Sequence, residues 1–408
     1  MIKNLKENYN PMYFLASLGS GGLTVSFYMY FMFMAKHPGR PMANFEHILA
    51  LVTGDNLLVS ILSVAALLFI LFFAIKHIQL LVWNIREYRL YKKTDAYEKL
   101  RNSNGEVSLM AIPLTLAMTV NVLFILGGAF VPNLWNYVEY LFPFALAAFV
   151  AIGIYALVIF KNYFTRFILN GDLDFAKNNN LSQLLAVFAF AMIAVGFASP
   201  AAMSHTLAVS VIGMVLSFFF SSIAIMLLVV KMVLGFKSIF KYGLDKGASA
   251  SLWLIIPILT IMGITLVRLY NGVNHNLLHV QSPSATPMFI VLTIFVSIQV
   301  MFGLIGYSVM KQNNYFRGMI HGAGKSPGSF SLICPGVAFM VLGMFFIHWG
   351  FVNTGIVTQF SAVYFIMLVP FVLVQFKTVS VLLKLNKKLF YPTKAENDAF
   401  KLEDQTQA

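Results

Sequence analysis

Long apolar runs separated by short polar segments dominate this sequence. Ten runs are long enough to cross a bilayer, because a spanning helix needs about 20 mainly apolar residues. They cover residues 11–34, 57–78, 108–130, 135–160, 181–197, 206–230, 249–269, 287–310, 329–349 and 358–383. Charged or Gly-, Pro- and Asn-rich segments separate most of them. The pattern predicts an all-α integral membrane protein with ten transmembrane helices.

The spans pair into five hairpins, and the first span of each hairpin differs from the second. Four of these odd-numbered spans contain an early proline: Pro11, Pro113, Pro257 and Pro335. A proline bends a helix, and small residues let membrane helices approach closely. One interpretation is ordinary bundle packing that tolerates proline. The other is a pseudo-five-fold ring in which five kinked inner helices enclose a central pore and five outer helices surround them.

Composition and charge placement agree with a membrane location. The chain of 408 residues is 59% hydrophobic and 11% charged, whereas soluble domains have about 25% charged residues. All Lys and Arg except Lys36, Arg40 and Arg268 lie at the termini or between hairpins. Since cytoplasmic loops are enriched in Lys and Arg, we expect both termini in the cytoplasm and the protein in the cell membrane, the inner membrane in a bacterium.

The placement of the charged residues also predicts where the domains begin and end and which partners the protein has. It predicts a cytoplasmic N-terminus over residues 1–10, a ten-helix domain over 11–385 and a cytoplasmic tail over 386–408. The net charge of +13 is explained by topology, so we expect membrane lipid rather than nucleic acid as a partner.

The acidic residues restrict the kind of transport. No Asp or Glu lies in the middle of any predicted span, whereas cation-coupled transporters commonly place a carboxylate there. This weakens a cation-coupled mechanism and is compatible with a neutral or anionic permeant. Arg268 ends the seventh span on the outer side, where it either snorkels, as Lys231 is expected to, or attracts anions into a vestibule.

Cys334, followed by Pro335 and Gly336, is the only cysteine. One cysteine excludes an intrachain disulfide and a Cys-based zinc or iron–sulfur site within one chain. The thiol is either a buried small hydrophobe or a group that lines a path through the protein.

Other polar residues leave alternatives open. Thr119, Asn121, Ser182, Gln183 and Thr260 lie on odd spans and either line a path or bond between helices. His275 and His279 would share one face if their segment were helical, so a metal or haem site is one interpretation and interfacial loop residues the other.

His348, next to Trp349, fits an interfacial belt. No nucleotide-binding loop, metalloprotease helix or nucleophile elbow is present, so we expect no enzyme activity and no cofactor or metal.

The architecture resembles the tellurite-resistance/dicarboxylate transporter family, which includes TehA-type channels and plant slow anion channels. The residues that fit its first helix are Pro11, Tyr13, Phe14, Gly19, Gly21 and Gly22. The family's ninth helix carries a Phe that plugs the pore, and here Cys334 or Pro335 takes that place, depending on the alignment. Phe339, one turn further on, is a substitute gate. The resemblance also implies a homo-oligomer, a trimer.

A narrower resemblance is to TsoY-type membrane proteins, some of which carry selenocysteine. It implies that Cys334 is the selenocysteine-equivalent position and that substrates are sulfur oxyanions or react with thiols.

The sequence therefore predicts a channel or transporter for small anions, with sulfur oxyanions, dicarboxylates and halide as candidates. The predicted pore and gate residues are Gly19, Gly22, Pro113, Asn121, Pro257, Cys334, Pro335, Gly336 and Phe339, with Arg268 in a vestibule. The alternative is a membrane redox protein that uses Cys334, with or without haem or metal on the outer histidines. A third reading is a partner subunit of another transporter.

Overall fold

A computed structural model describes residues 1–171, 179–280 and 283–391, and in these ranges all regular structure is helical. The α-helices are α1 (Phe14–Met34), α2 (Phe45–Val52), α3 (Leu57–Tyr91), α4 (Asp95–Arg101), α5 (Ala111–Phe130), α6 (Val138–Asn170), α7 (Leu184–Met203), α8 (Leu207–Tyr242), α9 (Ile255–Gly272), α10 (Thr286–Gln312), α11 (Ile333–Phe345) and α12 (Ala362–Phe390). The prediction of an all-helical, multi-pass membrane protein is thus supported.

Nine helical segments within the described ranges are long and apolar enough to cross a membrane. The helix over the first predicted span, α1, has 21 residues but is not among the nine. Its sequence mixes Gly, Ser, Thr and Tyr with the apolar residues, which lowers its mean hydropathy. A membrane crossing by α1, and with it the count of ten, stays a prediction.

Burial separates two kinds of helix. The apolar stretch of α7 is 94% buried, whereas those of α3, α6 and α10 are each 28% buried. α8 and α12 also turn large apolar side chains outward, among them Phe240 and Ile366. Exposed apolar surface of this extent is typical of lipid contact. The odd-numbered spans therefore form an inner layer, and the even-numbered spans cover it.

The inner helices contact one another in a closed order. α1 packs against α5, α5 against α7, α7 against α9, α9 against α11, and α11 against α1. Four of them begin with a 3-10 turn, at Pro11–Tyr13, Asn104–Met110, Lys246–Leu254 and Pro327–Leu332.

The two ends of the bundle differ. The 3-10 turns lie at the end where Ile2 N–H donates to Phe390 O (2.9 Å). We call this the basic end, because the connections between hairpins that lie there carry most of the Lys and Arg. The opposite end, with the turns inside each hairpin, is the hairpin end.

Several helices run past their predicted ends. α7 continues through Pro200 to Met203, so only residues 204–206 separate it from α8. The helix ends one turn after this proline, where Ser204 N–H closes the last turn on Pro200 O (3.0 Å). α12 extends to Phe390, beyond the predicted domain end at 385. Residues 172–178 of the predicted basic loop and the tail from 392 lie outside the described ranges.

Candidate functional site

A cavity of about 590 Å³ lies among the five inner helices. Residues of α1, α5, α7, α9 and α11 line it together with Phe142, Ala145 and Phe149 of α6, and the partly exposed His37 and Gln359 lie at its mouth at the hairpin end. Its deepest lining residues toward the basic end include Gly19, Pro257 and Cys334. The inner helices thus enclose a blind cavity that is open at the hairpin end.

Two glycines allow α1 to approach α11 at the floor of this cavity. A Cβ on Gly19 would lie 2.7 Å from Ile333 Cγ2, and one on Gly22 would lie 3.0 Å from Val337 Cγ1. Both distances are shorter than ordinary contacts between carbon atoms. The close approach places Cys334, which follows Ile333, on the cavity floor with 6% of its surface exposed.

Buried apolar residues lie at the start of the inner helices, at the basic end below this floor. Each inner helix contributes one at its first turn, and we call the group the basic-end seal: Phe14, Met110, Leu184, Leu254 and Ile333. All five are at most 2% exposed and belong to one buried cluster. None of the five is among the described lining residues of the cavity, so the group lies beyond the cavity floor.

Arg268 is the charged residue farthest inside the cavity among the described residues that line it. Its Nη1 donates to Val195 O (3.1 Å) and to Ser199 Oγ (2.5 Å), both on α7. No Asp or Glu of the described ranges forms an ion pair with it. Since a guanidinium has five N–H donors, this partly buried cation keeps donors available for an anion.

The other polar groups of the lining are neutral, except for Arg40 at the mouth and the histidines. Asn121 donates only to the weak acceptor Met192 Sδ (3.6 Å). Thr260 Oγ1 donates to Ala338 O (2.9 Å) and ties α9 to α11. No Asp or Glu lines the cavity in the part of the chain that the structure describes, so its electrostatic potential is set by cations.

Four of the nine predicted pore and gate residues lie elsewhere. Pro113, Pro335, Gly336 and Phe339 are absent from the described lining. A Cβ on Gly336 would collide with Thr378 Oγ1, so this glycine permits close packing of α11 on α12. The Phe339 ring packs on Phe371 of α12, with 4.7 Å between centroids. The expectation that Phe339 serves as the gate finds no support in this position.

Two predicted surface residues are buried. Lys231 was expected to snorkel, but it is 6% exposed, and its Nζ donates to Gln183 Oε1 (3.2 Å). His348 was expected in an interfacial belt, but it is 5% exposed and lines the cavity. Its Nδ1 bonds Met344 O (2.8 Å) and its Nε2 bonds the Tyr364 hydroxyl (3.0 Å). These hydrogen bonds satisfy the polar groups of Lys231 and His348 inside the protein.

The outer histidines do not form a metal site among the described residues. His275 lies in a π-helical turn, whereas His279 has φ of 54° beyond its end. The two therefore do not share one helix face. His275 instead lies near His205, with ring centroids 6.0 Å apart.

His47 is a further outer histidine, on α2, and it faces His37 with ring centroids 6.1 Å apart. Partial burial, followed by the neighbouring charge of His37, lowers the pKa of His47.

His77 is a buried polar residue that the sequence analysis did not single out. Its Nδ1 bonds Ser17 O (2.8 Å) on α1, and its Nε2 bonds Thr119 Oγ1 (2.9 Å) on α5. The sequence does contain a signal for this link. His77 lies in an apolar span, and Ser17 and Thr119 lie at a similar depth in two other spans. His77 links α3 to two inner helices outside the cavity.

No family model matches this chain, and no curated protein matches it either.

Proposed function

We propose that this protein is a multi-pass membrane channel or transporter for small anions, with its path through the middle of a pseudo-five-fold ring of ten spanning helices. The observation that carries the proposal is the cavity among α1, α5, α6, α7, α9 and α11, in which Arg268 is the innermost charged residue of the described lining and forms no ion pair with a described carboxylate. A partly buried cation in an apolar cavity attracts anions and repels cations. The closed order of contacts among these helices supports the ring.

The remaining elements of the proposal follow the resemblance and the charge pattern. We place the protein in the tellurite-resistance/dicarboxylate transporter family, as a trimer with both termini in the cytoplasm of the cell membrane. Chloride, sulfite, thiosulfate and dicarboxylates are the candidate permeants. The residues of the basic-end seal are buried at the basic end and are not among the described lining of the cavity, so we assign the gate to this group rather than to Phe339.

The test is anion flux into liposomes that contain the purified protein, with and without N-ethylmaleimide. Because Cys334 lies on the cavity floor and is the only cysteine, alkylation should obstruct the path. We expect flux above that of empty vesicles, a loss of flux after alkylation, and a Cys334→Ser variant that resists the reagent.

Two results would count against this function. One is flux that does not exceed empty vesicles for every candidate anion. The other is full flux through protein whose alkylation has been verified by mass, because the path would then not pass the cavity floor. A Cys334→Ser variant with full flux would also remove the thiol on which the redox alternative rests.

A further inference from the structure

The cavity holds one buried positive charge for its ligand. Arg40, the other cationic residue of the described lining, is exposed at the mouth, and its guanidinium lies over the Trp135 ring at 5.8 Å. Among the described residues, Arg268 is therefore the one cation that an anion meets inside the cavity. One guanidinium balances one negative charge, and a second negative charge in an apolar cavity would have to be desolvated without a partner.

The cavity continues well below Arg268. Pro257, at the floor, precedes Arg268 by eleven positions on the same helical segment. At a rise of about 1.5 Å per residue, the floor lies about 16 Å deeper than the position of Arg268 on α9. A ligand held at Arg268 therefore has room for a portion that points toward Cys334.

Apolar side chains form most of the wall over this depth, with Asn121 and Thr260 as its polar groups. The residues below Arg268 on α7, α9 and α11 are Phe188, Met192, Ile261, Ile264, Val337 and Val341. Each is at most 9% exposed. Each ligand methylene that this wall removes from water makes the binding free energy more favourable.

From this combination we propose that the cavity prefers a monovalent anion with an apolar portion, such as a short alkanesulfonate or alkanoate. The charged group binds at Arg268, and the apolar portion lies deeper, between α7, α9 and α11. This proposal rests on the proposed function, because it specifies the substrate class of the same cavity.

The test compares ligands that differ in one property. Binding of methane- to hexanesulfonate to the full-length protein in a neutral detergent is measured by calorimetry. Each added methylene should strengthen binding about fourfold, the factor for burying one CH₂. At equal chain length, 1,4-butanedisulfonate and 1-butanol should both bind more weakly than butanesulfonate, because the first adds a charge and the second lacks one.

Two variants separate the charge from the wall. Arg268→Gln should weaken binding of all the monosulfonates, including methanesulfonate. Val341→Thr keeps the side-chain shape but replaces a methyl group with a hydroxyl, so it should reduce the gain per methylene. Ligand competition in wild-type flux assays repeats the comparison without any variant, in case a variant does not fold.

The outcomes distinguish this inference from the proposed function. If small anions bind in an Arg268-dependent way but affinity does not rise with chain length, or the disulfonate binds as tightly, the preference is wrong and anion transport stands. If no anion binds and none crosses the liposome membrane, the proposed function itself is wrong and this inference falls with it.

Discussion

Arg268 Nη1 donates a hydrogen bond to the backbone carbonyl oxygen of Val195, 3.1 Å away, and so joins α9 to α7. Ser199 Oγ, which accepts a second hydrogen bond from the same nitrogen, also lies 3.3 Å from Val195 O. These contacts anchor one side of the guanidinium with neutral acceptors. No carboxylate of the described ranges pairs with this charge, and an unpaired cation is the property that an anion site needs.

The first prediction concerns this charge. Arg268→Gln should weaken binding of small anions about 10- to 100-fold, since a hydrogen bond to a charged group contributes about 1.5–3 kcal/mol. Arg268→Lys should retain part of the affinity, because it keeps the charge but loses the planar arrangement of donors. Calorimetry on the purified variants measures both effects.

The exposed Arg317 supplies the matched control for that measurement. Arg317→Gln removes the same charge outside the cavity and should leave affinity unchanged. Equal losses in the two variants would mean that Arg268 acts only through the overall charge of the protein.

The second prediction concerns the basic-end seal. Phe14→Ala should raise anion flux, because it removes the largest side chain of the seal from the first turn of α1. Phe73→Ala is the control: Phe73 is equally buried at 1% exposure, but it lies on α3 beside Phe27. Both changes should destabilise the protein by about 3–5 kcal/mol, the usual cost of truncating a buried Phe.

Liposome flux and thermal unfolding of the two variants separate the roles. Higher flux in Phe14→Ala alone would assign the gate to the seal. If Phe73→Ala leaks as much, the flux reflects general loosening of the helices and not a gate.

The division into inner and outer helices could largely be predicted from the sequence, because the lipid core offers the same apolar environment to every spanning helix. Every backbone group must be bonded within a helix there, so apolar length alone indicates helices. The prolines and small residues of the odd spans also pointed to the inner layer. α1 is the informative exception: the glycines and serines that let it pack inside also make it less apolar than the other spans.

The direction of individual side chains was not predictable in the same way. Pro335 and Gly336 follow Cys334 directly, yet only Cys334 lines the cavity. One residue turns a helical side chain by about 100°, so an error of one position moves it to another face. The predicted exposure of Lys231 was wrong for a different reason. Its partner Gln183 is 48 positions away in the chain, so no local sequence pattern indicates the hydrogen bond between them.

The third prediction tests the packing of the inner layer. A Cβ on Gly196 of α7 would overlap the Phe149 ring of α6. Gly196→Ala should therefore lower the melting temperature by several degrees, since overpacking usually costs about 1–3 kcal/mol. Gly303→Ala on α10 is the control, because a Cβ there meets no atom within 4 Å. The Gly303→Ala variant should keep the wild-type melting temperature or raise it, as expected for replacing glycine inside a helix. A lower melting temperature for Gly303→Ala than for Gly196→Ala would contradict the packing of α6 on α7.

The last prediction concerns the N-terminal segment, which packs on the basic end. Glu87 of α3 is fully buried and accepts hydrogen bonds from Asn4 N–H (3.1 Å) and Leu5 N–H (2.8 Å). Trp83 Nε1 donates to Ile2 O, 2.6 Å away, and adds a second attachment.

Glu87→Gln should weaken the segment's attachment by about 1.5–3 kcal/mol, because an amide is a poorer acceptor than a carboxylate for these N–H groups. Limited proteolysis should then cut before residue 10 faster than in the wild type, whereas Glu98→Gln, at an exposed position of α4, should not change the rate. Equal cleavage in wild type and Glu87→Gln would show that the carboxylate does not hold the segment.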